Sequence, residues 1–317
     1  MHVNPISAIG VIGFGEVGRI FCEGLQGKAG VSTISAWDLK FAAAGTGIAE
    51  AAKASAAGVR AASSAADLAG GMSGGVDLII SAVTASNTFA VAQAVAPHMR
   101  PGTLFLDLNS ASPGTKQKSA AVIDAAGGHY VEAGVMTSIP PYGIKVPMLL
   151  GGAKAKELAL SLLSWGCDAK VVSSQLGVAS AIKMCRSVMI KGLEALVIES
   201  YTTARAYGVE DHVLPTLQET FPSIDWSQQG AYFFSRVVQH GKRRAEEMRE
   251  AANTVQEAGF EPMMTAAIAN KQQWVADQAA AGLFANVDKD SVWQHFADHL
   301  LAAHKLTGRN LTTHLDE

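Results

Sequence analysis

The stretch AIGVIGFGEVGRIF, residues 8–21, begins apolar and then turns into glycines spaced Gly13-x-Gly15-x-x-Gly18. An apolar run that ends in glycine reads as a buried strand, and the residues that follow, through Leu25, read as a helix. In that setting each glycine has a task. Gly13 permits a tight turn, Gly15 lets the backbone approach a pyrophosphate, and Gly18 lets helix and strand pack closely, while the helix N-terminus faces the phosphates. Gly13, Phe14, Gly15, Glu16, Val17 and Gly18 are therefore the candidate cradle of a dinucleotide. A glycine-rich turn without a ligand is the competing reading, and strand, spacing and position together stand against it.

Outward from this loop the pattern alternates. VSTISAWD (31–38), GVRAA (58–62), DLIISAV (77–83), GTLFLDLNS (102–110), HYVEAGVM (129–136) and VPMLLGG (146–152) read as strands, the second of these weakly. An Ala-rich segment at 41–56 and SNTFAVAQAVAPHM (86–99) read as helices. Strands that alternate with helices imply an α/β fold with a doubly wound, mostly parallel sheet. After about residue 174 the period becomes helical throughout. One long helix runs to Gly208, a plausible C-cap, and further helical segments lie at 213–221, 228–258, 262–282 and 290–305. The expected organisation is a Rossmann domain over 1–174, then a long connecting helix and an all-α domain within 175–317.

Composition narrows the function classes. The chain has 317 residues, 49% of them hydrophobic, and a net charge of −3, so no basic surface for nucleic acid is implied. No stretch reaches the roughly 18 apolar residues of a membrane span, and no signal peptide is read at the N-terminus. A cytoplasmic protein with no membrane partner is expected. Cys22, Cys167 and Cys185 have no metal or redox spacing, which fits reduced thiols.

Asp38 lies 20 residues past Gly18, at the end of the second strand. A carboxylate there accepts hydrogen bonds from ribose hydroxyls and repels a 2′-phosphate, which favours NAD over NADP. Lys40 can soften that preference, so NADP stays open, and an ordinary strand-end turn is the alternative for Asp38. Ligands of such sheets sit beyond the carboxyl ends of the strands. Val83 and Thr84, after the fourth strand, are candidates for the adenosine and ribose side. Asn109 and Ser110, after the fifth, fall toward the nicotinamide and the substrate. Each could also be only a loop.

These motifs in this order, with DLNSASPG, YVEAGVMTS, PMLLGG and GVASAIKM following the first loop, resemble the β-hydroxyacid dehydrogenase superfamily. Its members include 3-hydroxyisobutyrate, tartronate-semialdehyde and 6-phosphogluconate dehydrogenases. The resemblance spans about the first 200 residues. HGKRRAEEMREAANTVQEAGFEPMM (240–264) looks like a divergent, phosphogluconate-dehydrogenase-like branch. The resemblance implies a glycine six residues before a lysine that acts as general acid/base, and Gly177 and Lys183 fit. Partial burial moves an ammonium toward neutrality, where it can exchange a proton as hydride moves. A salt-bridged or snorkelling lysine is the alternative.

Two places depart from the family pattern. The family's Asn four residues after the lysine is Ser187 here, on the same helix face and still able to bond a substrate oxygen. Lys191 and Glu194 continue a polar seam, with Lys191 a candidate for substrate binding and an internal ion pair the preferred reading of the two. The family's Asp-Ala-Pro-Val-Ser-Gly-Gly loop corresponds to Glu132 through Ser138, so Met136, Thr137 and Ser138 make a bulkier, more apolar substrate loop, with SIPPYGIKVP stiff beside it. His240 is a candidate for a polar pocket role, and Arg243 and Arg244 for an anionic group; a solvated helix face is the preferred reading of all three. A 6-phosphogluconate dehydrogenase would be much longer and would carry an acid where this chain has Ile190.

The expectation is an NAD(P)-dependent dehydrogenase acting on CH–OH. It moves hydride between the nicotinamide and a hydroxy acid or a larger, aryl-bearing alcohol. An imine reductase-like enzyme, or a catalytically silent dinucleotide sensor, is the alternative. The resemblance also implies a homodimer formed through the helical domain. Trp226, Tyr232, Phe233, Phe234, Trp274 and Trp293 could serve that interface, a monomer core, or a substrate cleft.

Overall fold

The computed structural model describes residues 5–70 and 75–307. Eight strands form one sheet: β1 (Ala8–Ile12), β2 (Thr33–Trp37), β3 (Arg60–Ala61), β4 (Leu78–Ser81), β5 (Leu104–Asp107), β6 (His129–Val135), β7 (Met148–Gly151) and β8 (Ala169–Ser173). Their order is β3-β2-β1-β4-β5-β6-β7-β8. Every neighbouring pair is parallel except β6 with β7. The order reverses direction at β1 and β4, so the loops after these two strands flank the crevice where such folds bind ligands.

The helices in the α/β part are α1 (Glu16–Leu25), α2 (Gly47–Ala56), α3 (Ala65–Gly70), α4 (Thr88–Val95), α5 (Pro113–Ala125) and α6 (Ala155–Ser164). They cover both faces of the sheet, and the strands are apolar on both faces as a result. In β5, Leu104 and Leu106 join the core that holds Phe21 and Leu25 of α1. Phe105 points the other way and stacks on Tyr130 of β6 at 5.6 Å. Gly10 in β1 is required by contact: a Cβ there would stand 2.6 Å from Leu68 of α3.

The described residues of 1–185 and 253–260 form one compact unit, and those of 186–252 and 261–317 form a second. The helices downstream of the sheet are α7 (Val178–Tyr207), α8 (Glu210–Thr220), α9 (Trp226–Glu257), α10 (Met263–Ala280) and α11 (Trp293–Thr307). Both α7 and α9 contribute to both units. The second unit closes on aromatics. Tyr201 of α7 meets Trp293 of α11 edge-on at 4.8 Å and donates its hydroxyl to the carbonyl of Trp226. Phe234 and Phe296 stack at 6.0 Å. Trp226, Phe233, Phe234 and Trp293 therefore fill this core, whereas Tyr232 and Trp274 are exposed. Burial of each such ring stabilises by about 1.5–3 kcal/mol.

Some elements differ from expectation for identifiable reasons. The segment expected as one helix over 41–56 is a 3-10 turn at Leu39–Ala42 and then α2, because Gly45 takes φ +81° and breaks the run. β8 was not expected: it is a short edge strand, AKVVS, mostly half-buried, with no alternation to reveal it. α5 was also unread, although Ser112 as N-cap followed by Pro113 is a start signal visible in the sequence.

Candidate cofactor and catalytic site

The three glycines of the first loop divide by what surrounds them. Gly13 has φ +90°, and a Cβ on it would stand 2.4 Å from the carbonyl oxygen of Ala82. A Cβ on Gly18 would fall 1.8 Å from the Gly13 oxygen. These two are demanded by packing of the protein against itself. Gly15 is different: a Cβ there would meet nothing within 4 Å. Gly15 is also the N-cap of α1, and no side chain caps that end. The first amides of α1 thus border an open cradle, which fits a pyrophosphate. Phe14 is buried beside Phe41, Val17 is half-buried, and Glu16 is exposed in the first turn.

Asp38 ties this loop to the end of β2. Its Oδ2 accepts the Phe14 N–H at 2.8 Å and its Oδ1 accepts the Lys40 N–H at 2.9 Å. The carboxylate is half-exposed and keeps lone pairs for a further donor. Lys40 is exposed.

The loops after β4 and β5 are cross-tied by Asn109. Its Oδ1 accepts from Val83 N at 2.7 Å, and its Nδ2 donates to Ser81 Oγ at 2.9 Å. Asn109 is 3% exposed, so it holds Val83 in place and its carboxamide is committed inward. Val83 is half-buried, near enough to Gly13 that a Cβ on the glycine would lie 2.9 Å from Val83 Cγ1. Thr84 is exposed and Ser110 half-buried.

Beneath this loop lies a charge network that the sequence reading missed. Lys116 of α5, 0% exposed, bonds both Asp107 Oδ1 and the Asp107 carbonyl oxygen at 3.0 Å. The Tyr130 hydroxyl donates to Asp107 Oδ2. Burial first, and then the Asp107 charge, pushes the Tyr130 hydroxyl well above its usual pKa. Glu257 was also missed. It accepts from Ser112 Oγ at 2.7 Å and from Gly114 N at 2.9 Å, closing the start of α5 from 145 residues away in sequence.

Lys183 is half-buried in the second turn of α7. Its placement follows from two residues of β6. Glu132 is fully buried, and its carboxylate accepts from Gly177 N (2.7 Å), Ala179 N (3.0 Å), Ser180 N (3.3 Å) and Ser180 Oγ (2.7 Å). An anion at a helix start satisfies amides that have no partner within the helix. Two residues on, Gly134 lets α7 lie directly on the strand: a Cβ there would be 2.8 Å from Ala179 O and 3.5 Å from Lys183 Cβ. Gly177 takes φ +99° just before the helix begins. Met136 follows β6 directly, and its N–H donates to the Pro147 carbonyl oxygen at 2.9 Å. Met136 and Ser138 are half-buried and Thr137 is exposed. The loop beyond them is anchored on α1, where Ile144 occupies the space beside Gly24.

In the second unit the charged residues expected to pair with each other take other partners. Lys191 pairs with Glu247 of α9 at 2.6 Å, not with Glu194, and donates to Ser187 Oγ at 3.4 Å. Glu194 instead takes Arg244, whose Nε donates at 2.9 Å, and Gln272 of α10 at 3.2 Å. Arg244 is therefore not on a solvated face: it is 7% exposed and neutralised. The interhelical contact outweighs hydration because both charges are satisfied together. Arg243 is exposed as expected, and His240 is half-buried on α9.

Two family models match the chain. One is the NAD binding domain of 6-phosphogluconate dehydrogenase, over residues 8–141, and the other is the domain of unknown function DUF1932, over residues 204–275. A conserved hypothetical protein from Sinorhizobium meliloti 1021 is 36% identical with a TM-score of 0.73, covering 94% of this chain and 96% of its own. An uncharacterized 28.5 kDa protein of Methanothermus fervidus is 31% identical over 195 residues, 59% of this chain and 71% of the relative. The 3-hydroxyisobutyrate dehydrogenase of Mycobacterium tuberculosis shares the fold, with a TM-score of 0.62 at 18% identity over 93% of this chain and 99% of that one. The fold and the glycine cradle thus define an NAD(P)-binding protein of Rossmann type. The chain belongs to the family of the Sinorhizobium meliloti protein, and it joins an NAD-binding domain of the 6-phosphogluconate dehydrogenase kind to DUF1932. Among the described residues no helix is long and apolar enough to cross a membrane.

Proposed function

We propose that the chain is an NAD-preferring oxidoreductase that interconverts a hydroxyl and a carbonyl carbon, with Lys183 as the general acid/base. The observation that supports this is the seating of Lys183. Glu132 and Gly134 hold the first turns of α7 on β6, within the same compact unit as the glycine cradle. When bound, the nicotinamide supplies the hydride acceptor or donor. Gly13, Phe14, Gly15, Glu16, Val17 and Gly18 hold the pyrophosphate, and Asp38 takes the ribose hydroxyls. Val83 and Thr84 line the cofactor beyond β4. In the oxidising direction the Lys183 amine accepts the hydroxyl proton as the carbonyl forms, and in the reducing direction it returns that proton.

Ser187 lies one turn after Lys183 on α7 and bonds a substrate oxygen. Met136, Thr137 and Ser138 shape a pocket bulkier than a Ser-Gly-Gly loop would, which suits a larger hydroxy acid or an aryl-bearing alcohol. The test is turnover of a panel running from small 3-hydroxy acids to aryl-substituted hydroxy acids with NAD, with Lys183→Ala in parallel. Turnover by wild type, lost in Lys183→Ala with NADH affinity intact, is the expected result. Equal turnover by the two, or none by wild type despite NADH binding, overturns the reading.

A further inference from the structure

We infer that the buried network of Lys116, Asp107 and Tyr130 positions the cofactor loop after β4, and that it acts through Asn109. This rests on the proposed placement of the cofactor beside Val83, and not on the chemistry assigned to Lys183. Asp107 is the last residue of β5, where the strand gives way to a loop of the ligand-binding edge. Its Oδ1 accepts from Lys116 Nζ at 3.0 Å and from the Asn109 N–H at 2.8 Å, and its Oδ2 accepts the Tyr130 hydroxyl. Lys116 Nζ also donates to the Asp107 carbonyl oxygen at 3.0 Å. One ammonium therefore holds both the side chain and the backbone that leads into the loop.

From Asp107 the bonds continue to the cradle, all within the first compact unit. Asn109, its N–H fixed by Asp107, accepts from Val83 N at 2.7 Å and donates to Ser81 Oγ at 2.9 Å. Leu108 N donates to the Ser81 carbonyl oxygen at 3.0 Å, which ties the ends of β4 and β5 a second time. Ala82 and Val83 in turn pack on the glycine loop: a Cβ on Gly13 would stand 2.4 Å from Ala82 O and 2.9 Å from Val83 Cγ1. Lys116, Asp107, Tyr130 and Asn109 are each 3% exposed or less. At that depth an ion pair is often no more stabilising than well-packed apolar residues of similar volume. What the pair supplies that apolar residues cannot is an acceptor for the Asn109 amide. Without it the space at 107 can still be filled, but the Asn109 amide is left unsatisfied and the carboxamide that holds Val83 loses its anchor. Lys116, Asp107 and Tyr130 are positioning residues in this scheme, and Val83 carries their effect to the cofactor.

Two readouts separate this role from stability. One is hydrogen exchange of the Val83 amide in the cofactor-free protein, followed by NMR; the other is NADH affinity from fluorescence titration. The triple variant Asp107→Leu/Lys116→Met/Tyr130→Phe deletes the network and leaves no buried charge or tyrosine hydroxyl unpaired. The double variant Asp107→Asn/Lys116→Met deletes the charges but keeps an oxygen for the Asn109 N–H. Asn109→Ala is made alone and on the triple background, and Asp107→Leu/Lys116→Met replaces the triple variant if that does not fold. The triple variant is expected to exchange Val83 about tenfold faster or more and to bind NADH about tenfold more weakly than wild type. The double variant stays within about threefold of wild type in both. Asn109→Ala shows the losses of the triple variant, and the two together add no further loss.

Wild-type Val83 exchange or wild-type NADH affinity in the triple variant overturns the inference. So do equal losses in the triple and double variants, additive losses with Asn109→Ala, or a wild type that binds no NADH. The expected pattern in a protein that binds NADH and turns over no alcohol removes the oxidoreductase reading and leaves this one standing.

Discussion

The Glu132 carboxylate in β6 accepts the Ser180 hydroxyl at 2.7 Å, together with three backbone amides at the start of α7. One buried side chain thereby locks the helix that carries Lys183 onto the strand that leads into the Met136–Ser138 loop. Glu132→Gln puts an amide donor among four donors. It is expected to cost about 2 kcal/mol of stability, read by urea denaturation of the α/β unit. It should also lower turnover with little change in NADH affinity, since the cradle lies on another strand. Unchanged stability would mean that the cap contributes nothing.

The glycine loop separates packing from binding. Gly18→Ala forces a Cβ to 1.8 Å from a backbone oxygen and should destabilise by about 3 kcal/mol. Gly15→Val meets open space in an extended conformation that any residue adopts, so its melting temperature should stay near that of wild type. Its NADH dissociation constant should rise tenfold or more, about 1.4 kcal/mol. Wild-type NADH binding by Gly15→Val would remove this loop as the phosphate site.

Asp38 serves the loop and, in our reading, the ribose. Wild type should bind NADH more tightly than NADPH. Asp38→Ala should weaken NADH by about tenfold, while the gap between the two cofactors narrows. Fluorescence titration with both cofactors checks this, and an unchanged ratio would assign Asp38 to the Phe14 and Lys40 amides alone.

The Lys116–Asp107 pair is buried on both sides, so removal of one partner leaves a charge without compensation. Lys116→Met should destabilise by about 3–5 kcal/mol, whereas Lys116→Met with Asp107→Leu should recover part of that loss. Thermal melts of the two variants decide it.

Acid sensitivity has an identifiable contributor in Asp67. The Ser63 N–H at 2.8 Å, helped by Arg60 and opposed by partial burial, holds its carboxyl below the usual range. A group lowered in the folded state stabilises above its unfolded pKa of about 4 and loses that contribution as pH falls further. The melting-temperature gap between wild type and Asp67→Asn should be constant from pH 7 to 5 and close below about pH 4. A gap that persists at pH 2 would assign the effect to packing.

The sequence by itself determined the local features: strand β1, the glycine spacing, Asp38 at the end of β2, the long helix ending at Gly208, and the doubly wound class. Each rests on periodicity or on backbone demands written within a few residues, as with Gly13 at φ +90°. The Gly177-to-Lys183 spacing was legible only through its likeness to a family. The tertiary structure alone decided which charges meet. Glu132 with Gly177, Lys191 with Glu247, Glu194 with Arg244, and Ser112 with Glu257 join residues from 45 to 145 positions apart. Nothing local distinguishes a carboxylate that will cap a distant helix from one that will face water. The difference is set by desolvation when elements pack, which a buried charge survives only if its partner is delivered to the same place.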